Sequence, residues 1–171
     1  MFPDPAKAAE WEAWSRDGVV GRRIGVVWAG NPSHRNDIRR SLPASHLSGL
    51  MEVGGVRWIS LQKGERGDRR LQVPRGVQIE DMGERLHDLA DTAALLMQLD
   101  LVITVDTAVA HLAGALGRPV WVLIPYAPDW RWLLEGEGTV WYPTARLYRQ
   151  SAPGDWGAVI ARVVADLTSL P

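Results

Sequence analysis

Asp106, Thr107 and His111 stand where an apolar, strand-like run gives way to an Ala-rich segment. An acid and a hydroxyl directly after a buried strand, with an imidazole one helical turn further on, suit a ligand that is anionic or rich in hydroxyls. The first N–H groups of a helix lack intrahelical partners and carry about half a positive charge, so a phosphate is at home there. Helical side chains lean toward the N-terminus, which lets His111 reach the same mouth. A second cluster lies earlier. After Ala29-Gly30-Asn31, the loop S-H-R-N-D-I-R-R-S-L-P carries Arg35, Arg39 and Arg40 against a single acid, Asp37. Guanidinium groups suit bidentate phosphate contacts. The Gly30-Asn31 turn would let a ligand approach the backbone closely.

The elements that must position these residues are legible around them. Leu101–Val105 and Val120–Ile124 are β-branched, wholly apolar runs of the kind buried on both faces of a parallel sheet. Between them, Asp106 is expected to cap a helix over residues 107–116, with Gly117 and Pro119 as its stop. A helical wheel assigns Ala108, Val109, Leu112, Ala115 and Leu116 to its buried face. This strand–helix–strand unit is the minimum crossover joining parallel neighbours. It places Asp106 and Thr107 at the carboxyl edge of the sheet, where open α/β sheets bind ligands.

Further strands are expected at 24–28, 56–62, 77–82 and 145–149. A helix follows at 43–52, another is capped by Asp88 with Asp91 at its third position, and a last one is capped by Asp155. The fold class is therefore α/β: a doubly wound, Rossmann-like parallel sheet of about six strands with helices on both faces, spanning residues 22–171. Residues 1–21 read as a linker helix whose Trp11 and Trp14 need cover, from a neighbouring domain or, together with Trp130, from self-association.

Composition excludes several classes. The net charge of -1 and mixed signs give no reason to expect nucleic acid as a partner. No apolar run reaches the roughly 20 residues of a membrane span, and no basic-then-apolar signal opens the chain, so a cytoplasmic location is expected. The absence of cysteine removes disulfides and thiolate chemistry. The chain lacks G-x-G-x-x-G, G-x-x-x-x-G-K-[ST] and G-x-S-x-G, which argues against a dinucleotide dehydrogenase, a P-loop nucleotidase and a typical α/β hydrolase. His34, His46, His87 and His111 are scattered, with no H-E-x-x-H and no D-x-D, so no metal site and no cofactor are expected.

The run V-D-T-A-V-A-H-L-A-G-A-L-G-R-P-V resembles the donor-site signature of heptosyltransferase-family glycosyltransferases of the lipopolysaccharide-core type. The order of elements from Arg23 to Leu170 resembles the C-terminal, donor-binding half of a two-domain GT-B enzyme. W-A-G-N-P, R-R-S-L-P, S-L-Q-K-G, D-T-A-A-L, P-D-W-R-W and W-Y-P-T are similar to the glycosyltransferase-like segment attached to bacterial tetratricopeptide-repeat proteins. The resemblance implies a metal-independent, inverting transferase that uses a nucleotide-diphosphate sugar. By it, Thr107 and Ala108 hold the diphosphate, Asp106 meets the sugar and His111 supports the site. Asn31, Arg35 and Arg40 fall in the phosphate loop, and Lys63, Gly64 and Glu65 match the strand end that binds the ribose. Leu86 and His87 match the edge where the base packs. The phosphate loop departs from the family pattern, with Asn, Ser and Arg in place of its usual Thr pair and Lys. The general base for the acceptor is expected outside this chain, in an N-terminal acceptor domain. The alternative is a non-catalytic, nucleotide-sensing or protein-docking module of a tetratricopeptide-repeat protein.

Overall fold

β1 (Arg22–Val27), β4 (Leu101–Val105) and β5 (Val120–Ile124) form the centre of the sheet, and β4 and β5 are buried at every position. Their unbroken apolar runs have this cause: each strand is covered on two faces, so alternation disappears. The structure is a computed structural model and describes residues 4–18, 20–64 and 75–170. β2 (Val56–Ser60), β3 (Ile79–Asp81) and β6 (Ala145–Arg149) complete a six-stranded sheet in the order β3-β2-β1-β4-β5-β6, parallel at every pairing. Chain direction across the sheet reverses between β1 and β4, which is the switch point of a doubly wound fold.

Side chains of period two divide the core. Ile24, Val26, Ile103, Val105 and Leu123 face one layer, covered by α3 (Leu47–Met51) and α6 (Trp156–Thr168). Val27, Val102, Val120, Val122 and Ile124 face the other, covered by α1 (Pro5–Ser15), α4 (Leu89–Leu96) and α5 (Ala108–Ala115). The helix expected over 43–52 is shorter than its pattern suggested. A 3₁₀ turn at Ala44–His46 precedes α3, and a four-residue α2 (Asp37–Arg40) lies in the loop before it. Among the described residues no helix is long and apolar enough to cross a membrane.

The cover for Trp11 comes from the chain itself. Trp11 is buried with the residues of α4, and the Arg85 guanidinium lies 4.3 Å over its ring. Trp14 is half-buried: Arg57 sits 4.4 Å above it, and its indole N–H donates to Glu80 at 3.3 Å. Lys7 completes the contact, 2.9 Å from Asp88 and 2.6 Å from Asp91 at the start of α4. The expectation that both tryptophans await an outside partner is thus corrected; of the three, Trp130 is the exposed one.

Candidate functional site

The N-cap of α5 is Thr107, not Asp106, and its side chain makes no capping bond. The Thr107 hydroxyl turns instead to Thr104 Oγ1, 3.1 Å away, and Thr104 is itself fully buried. α1, α4 and α6 are each capped by an aspartate, Asp4, Asp88 and Asp155. The first N–H groups of α5 are left without that satisfaction at the switch point, where a helix mouth favours an anion.

The buried face of α5 also differs from the wheel. Ala110, Ala113 and Gly114 are buried, Val109, Leu112 and Leu116 are partly so, and Ala108 and Ala115 are exposed. The helix approaches its neighbours through its smallest residues. A Cβ on Gly114 would stand 2.3 Å from Cγ of Tyr142, so the ring lies directly on that glycine.

A cleft of about 670 Å³ opens at the carboxyl ends of β1, β2 and β4. Asn31, Arg40, Lys63, Gly64, Leu86, His87, Thr107 and Ala108 all line it. Arg35 does not: it lines an adjoining groove of about 410 Å³ with Ser33, His34 and Ile38. Glu65 lies outside the described residues. Asp106 and His111 lie beside the cleft rather than in its lining, 3.7 Å apart between Oδ1 and Nε2.

Three ties hold the cleft walls. The Gln62 amide, unassigned by sequence reasoning, accepts from the N–H groups of Trp28 and Ala29 at 3.2 and 2.9 Å and donates to the Ala29 carbonyl at 3.1 Å. It clamps the end of β1 to the end of β2. Lys63 Nζ donates to the Leu86 carbonyl, joining the β2 end to the opposite rim. Arg40 Nη1 donates to the Asp106 carbonyl at 2.9 Å and thereby holds the loop after β1 against the mouth of α5. Gly30 makes room for that guanidinium: a Cβ there would lie 2.5 Å from Arg40 Nη2 and 2.6 Å from Asp37 Oδ1. The Cβ side of Gly30 is filled by the protein's own side chains, while Gly30 itself lines the cleft. Arg40 and Lys63 are the cations of the cleft, and Asp88 is the one carboxylate among its described lining residues.

His111 sits in an aromatic cage. Its ring stacks on Trp132, with centroids 5.1 Å apart and planes 18° from parallel, and Nδ1 is 3.0 Å from the Tyr142 hydroxyl. Burial pushes its pKa below the ordinary value, against an upward pull from Asp106, with Arg131 adding a downward push and Asp129 a weaker upward one. Burial thus favours the neutral form of the ring. Arg149 fastens the loop that supplies the cage, donating to the carbonyls of Trp132, Leu133, Glu135 and Gly136. Leu133, at φ 58°, is the one non-glycine with positive φ among the described residues, and the carbonyl before it and its own both accept from that guanidinium. Such a conformation costs roughly 1–3 kcal/mol. Tyr142 belongs to the W-Y-P-T run, but nothing in its spacing linked it to His111, 31 residues earlier.

These features meet a family signature at the same place. Residues 85–128 match glycosyltransferase family 9 (heptosyltransferase). The matched stretch runs from the cleft rim through α4, β4, α5 and β5. Over 98% of its length the chain is also 29% identical to Protein FlbA of Caulobacter vibrioides, of which it spans 28%. Its fold matches that of the E. coli ADP-heptose lps heptosyltransferase II, with TM-score 0.64 and 17% identity over 97% of this chain and 51% of that one. The E. coli heptosyltransferase WaaC with ADP-2-deoxy-2-fluoro heptose gives TM-score 0.59 and 17% identity, over 95% of this chain and 48% of that one. The chain thus spans about half the length of these structural neighbours.

Proposed function

We propose that this chain is the donor-binding domain of a metal-independent, inverting glycosyltransferase that takes a nucleotide-diphosphate sugar in the cleft between β1, β2 and β4. In this reading the diphosphate rests on the N–H groups of Thr107 and Ala108, with Arg40 and Asn31 on its outer side and Arg35 at the margin. Lys63, Gly64 and Glu65 meet the ribose, and Leu86 and His87 flank the base. Asp106 meets the sugar, and His111 supports it. The helix mouth and the two cations would stabilise a leaving diphosphate electrostatically, without a metal. The acceptor's general base would come from an acceptor domain outside this chain.

The observation that carries the reading is the uncapped mouth of α5 opening into the cleft beside Arg40. A thermal-shift panel of ADP-, UDP-, GDP- and CMP-sugars tests it. A ligand at 100 times its dissociation constant adds about 2.7 kcal/mol to stability. Stabilisation by a diphosphate sugar, lost in Thr107→Asp, is the expected result. No response to any nucleotide, or full affinity in Thr107→Asp, would sink the reading.

One observation favours a second reading, a non-catalytic nucleotide-sensing or docking module of a tetratricopeptide-repeat protein. Asp88, the described carboxylate of the cleft, is committed to capping α4 and to Lys7. Binding without turnover in the longest natural chain that contains this domain would select that module. Both readings place the domain in the cytoplasm.

A further inference from the structure

The contacts around His111 fix more than its position. A neutral imidazole has one donor nitrogen and one acceptor nitrogen, and the partners of each decide which is which. Nε2 faces the Asp106 carboxylate, an acceptor when ionised, at 3.7 Å. Nδ1 faces the Tyr142 hydroxyl at 3.0 Å, and a hydroxyl can donate or accept. Placing the proton on Nδ1 would turn the Nε2 lone pair toward a negative carboxylate. Placing it on Nε2 satisfies both contacts. The imidazole lies on the Trp132 face, and the Tyr142 ring lies directly on Gly114.

We infer that Tyr142 is a positioning residue: its hydroxyl donates to His111 Nδ1, fixes the Nε2–H tautomer, and so sets Nε2–H and the Asp106 carboxylate as a donor–acceptor pair for one hydroxyl of the bound sugar. The 3.7 Å separation is too long for a direct hydrogen bond. A hydroxyl seated against both groups accepts from Nε2–H and donates to the carboxylate. A phosphate oxygen has no proton to give Asp106 and is repelled by it. The pair therefore selects the sugar end of the ligand from the phosphate end, and Tyr142 sets that choice from outside the cleft. The sugar-selecting part rests on the donor-site reading above; the tautomer does not.

The test uses the full chain, ¹⁵N-labelled, as wild type and Tyr142→Phe. Two-bond ¹⁵N–¹H spectra read the His111 tautomer directly, and calorimetry compares each nucleotide-diphosphate sugar with its nucleoside diphosphate. The expected result is Nε2–H in the wild type and a mixture of tautomers in Tyr142→Phe. Affinity for the sugar nucleotide falls about three- to tenfold, as for one neutral hydrogen bond, while affinity for the nucleoside diphosphate does not. A superimposable amide spectrum reports that the variant is folded. An Nδ1–H wild type overturns the inference, as does a variant with unchanged tautomer and unchanged sugar preference. If no nucleotide binds either protein, the donor-site reading and the sugar-selecting part fall together, and the tautomer is still decided by the spectra.

Discussion

Arg40 reaches across 66 residues of sequence to donate from Nη1 to the main-chain carbonyl of Asp106 at 2.9 Å. The same guanidinium has Nε 3.5 Å from Asp37 Oδ1. One planar fork therefore fixes the loop after β1 to the turn that opens α5, and both line or adjoin the cleft. Lysine is a compact point charge on one nitrogen and cannot keep both the hydrogen bond to the Asp106 carbonyl and the ion pair with Asp37. Arg40→Lys is expected to cost about 1.5–3 kcal/mol of stability, as for hydrogen bonds with a charged partner, and to weaken nucleotide-diphosphate binding tenfold or more. Chemical denaturation and calorimetry on the same samples check both; unchanged affinity would restrict Arg40 to the loop.

Gly114 and Gly49 make a matched pair for the packing of Tyr142. Both lie in helices, but a Cβ on Gly49 meets nothing within 4 Å, whereas one on Gly114 meets the Tyr142 ring. Gly49→Ala is expected to stabilise by up to about 1 kcal/mol through helix propensity alone. Gly114→Ala is expected to destabilise by about 1–3 kcal/mol as the ring is forced off the helix. Urea unfolding of the two variants decides, and equal signs would contradict the geometry.

Lys7 ties α1 to α4, and its partners give the tie a pH signature. A hydrogen bond from the Asp91 backbone, then the Lys7 ammonium, holds the Asp88 carboxyl below its ordinary 3.8; Lys7 itself is the leading cause for Asp91. A depressed carboxylate stabilises the fold fully above its unfolded value, and that contribution is lost as pH falls through the folded one. Stability is therefore expected to decline as pH drops below about 4, and Lys7→Met to flatten the decline. Thermal unfolding between neutral pH and the acid limit measures the difference; identical slopes would show that the tie contributes nothing.

His111 adds a second slope at higher pH. Its pKa is held below 6.5 by burial first, with Asp106 and Asp129 opposing and Arg131 reinforcing. The unfolded chain then binds the proton more readily than the native one, so stability falls as pH drops through and below 6.5. Arg131→Met is expected to move the His111 pKa back up, which an NMR titration of the ring protons follows. An unchanged pKa would mean that the Arg131 charge does not reach the ring.

The sheet was legible because its strands are unbroken β-branched runs and its helices carry stop signals; Leu101–Val105 and Val120–Ile124 appear as read. The cap of α5 was misread because Asp106 and Thr107 are both good capping residues, and the deciding contact, Thr107 to Thr104, points backward into the sheet. The wheel of α5 failed for a related reason. Its sequence is apolar nearly all round, so the buried side is chosen by where a helix of small residues can approach most closely, at Ala110, Ala113 and Gly114. Trp11 was placed correctly on a helix, but its cover depended on Lys7 finding Asp88 and Asp91, a pairing over 81 residues that no local pattern encodes. Tyr142 and Gln62 escaped notice likewise, since each acts across the fold through a single polar tip.

The grip of Arg149 on the loop from Trp132 to Gly136 binds the cage around His111 to the outermost strand of the sheet. β6 pairs with β5 alone, and the Ala145 N–H at its start donates to the Tyr142 carbonyl. If this edge frays, Trp132 and Tyr142 lose their mooring in the same event. Amide hydrogen exchange along 145–149 and loosening of the imidazole should consequently share one opening free energy, a cooperative unit distinct from the β1–β4 centre.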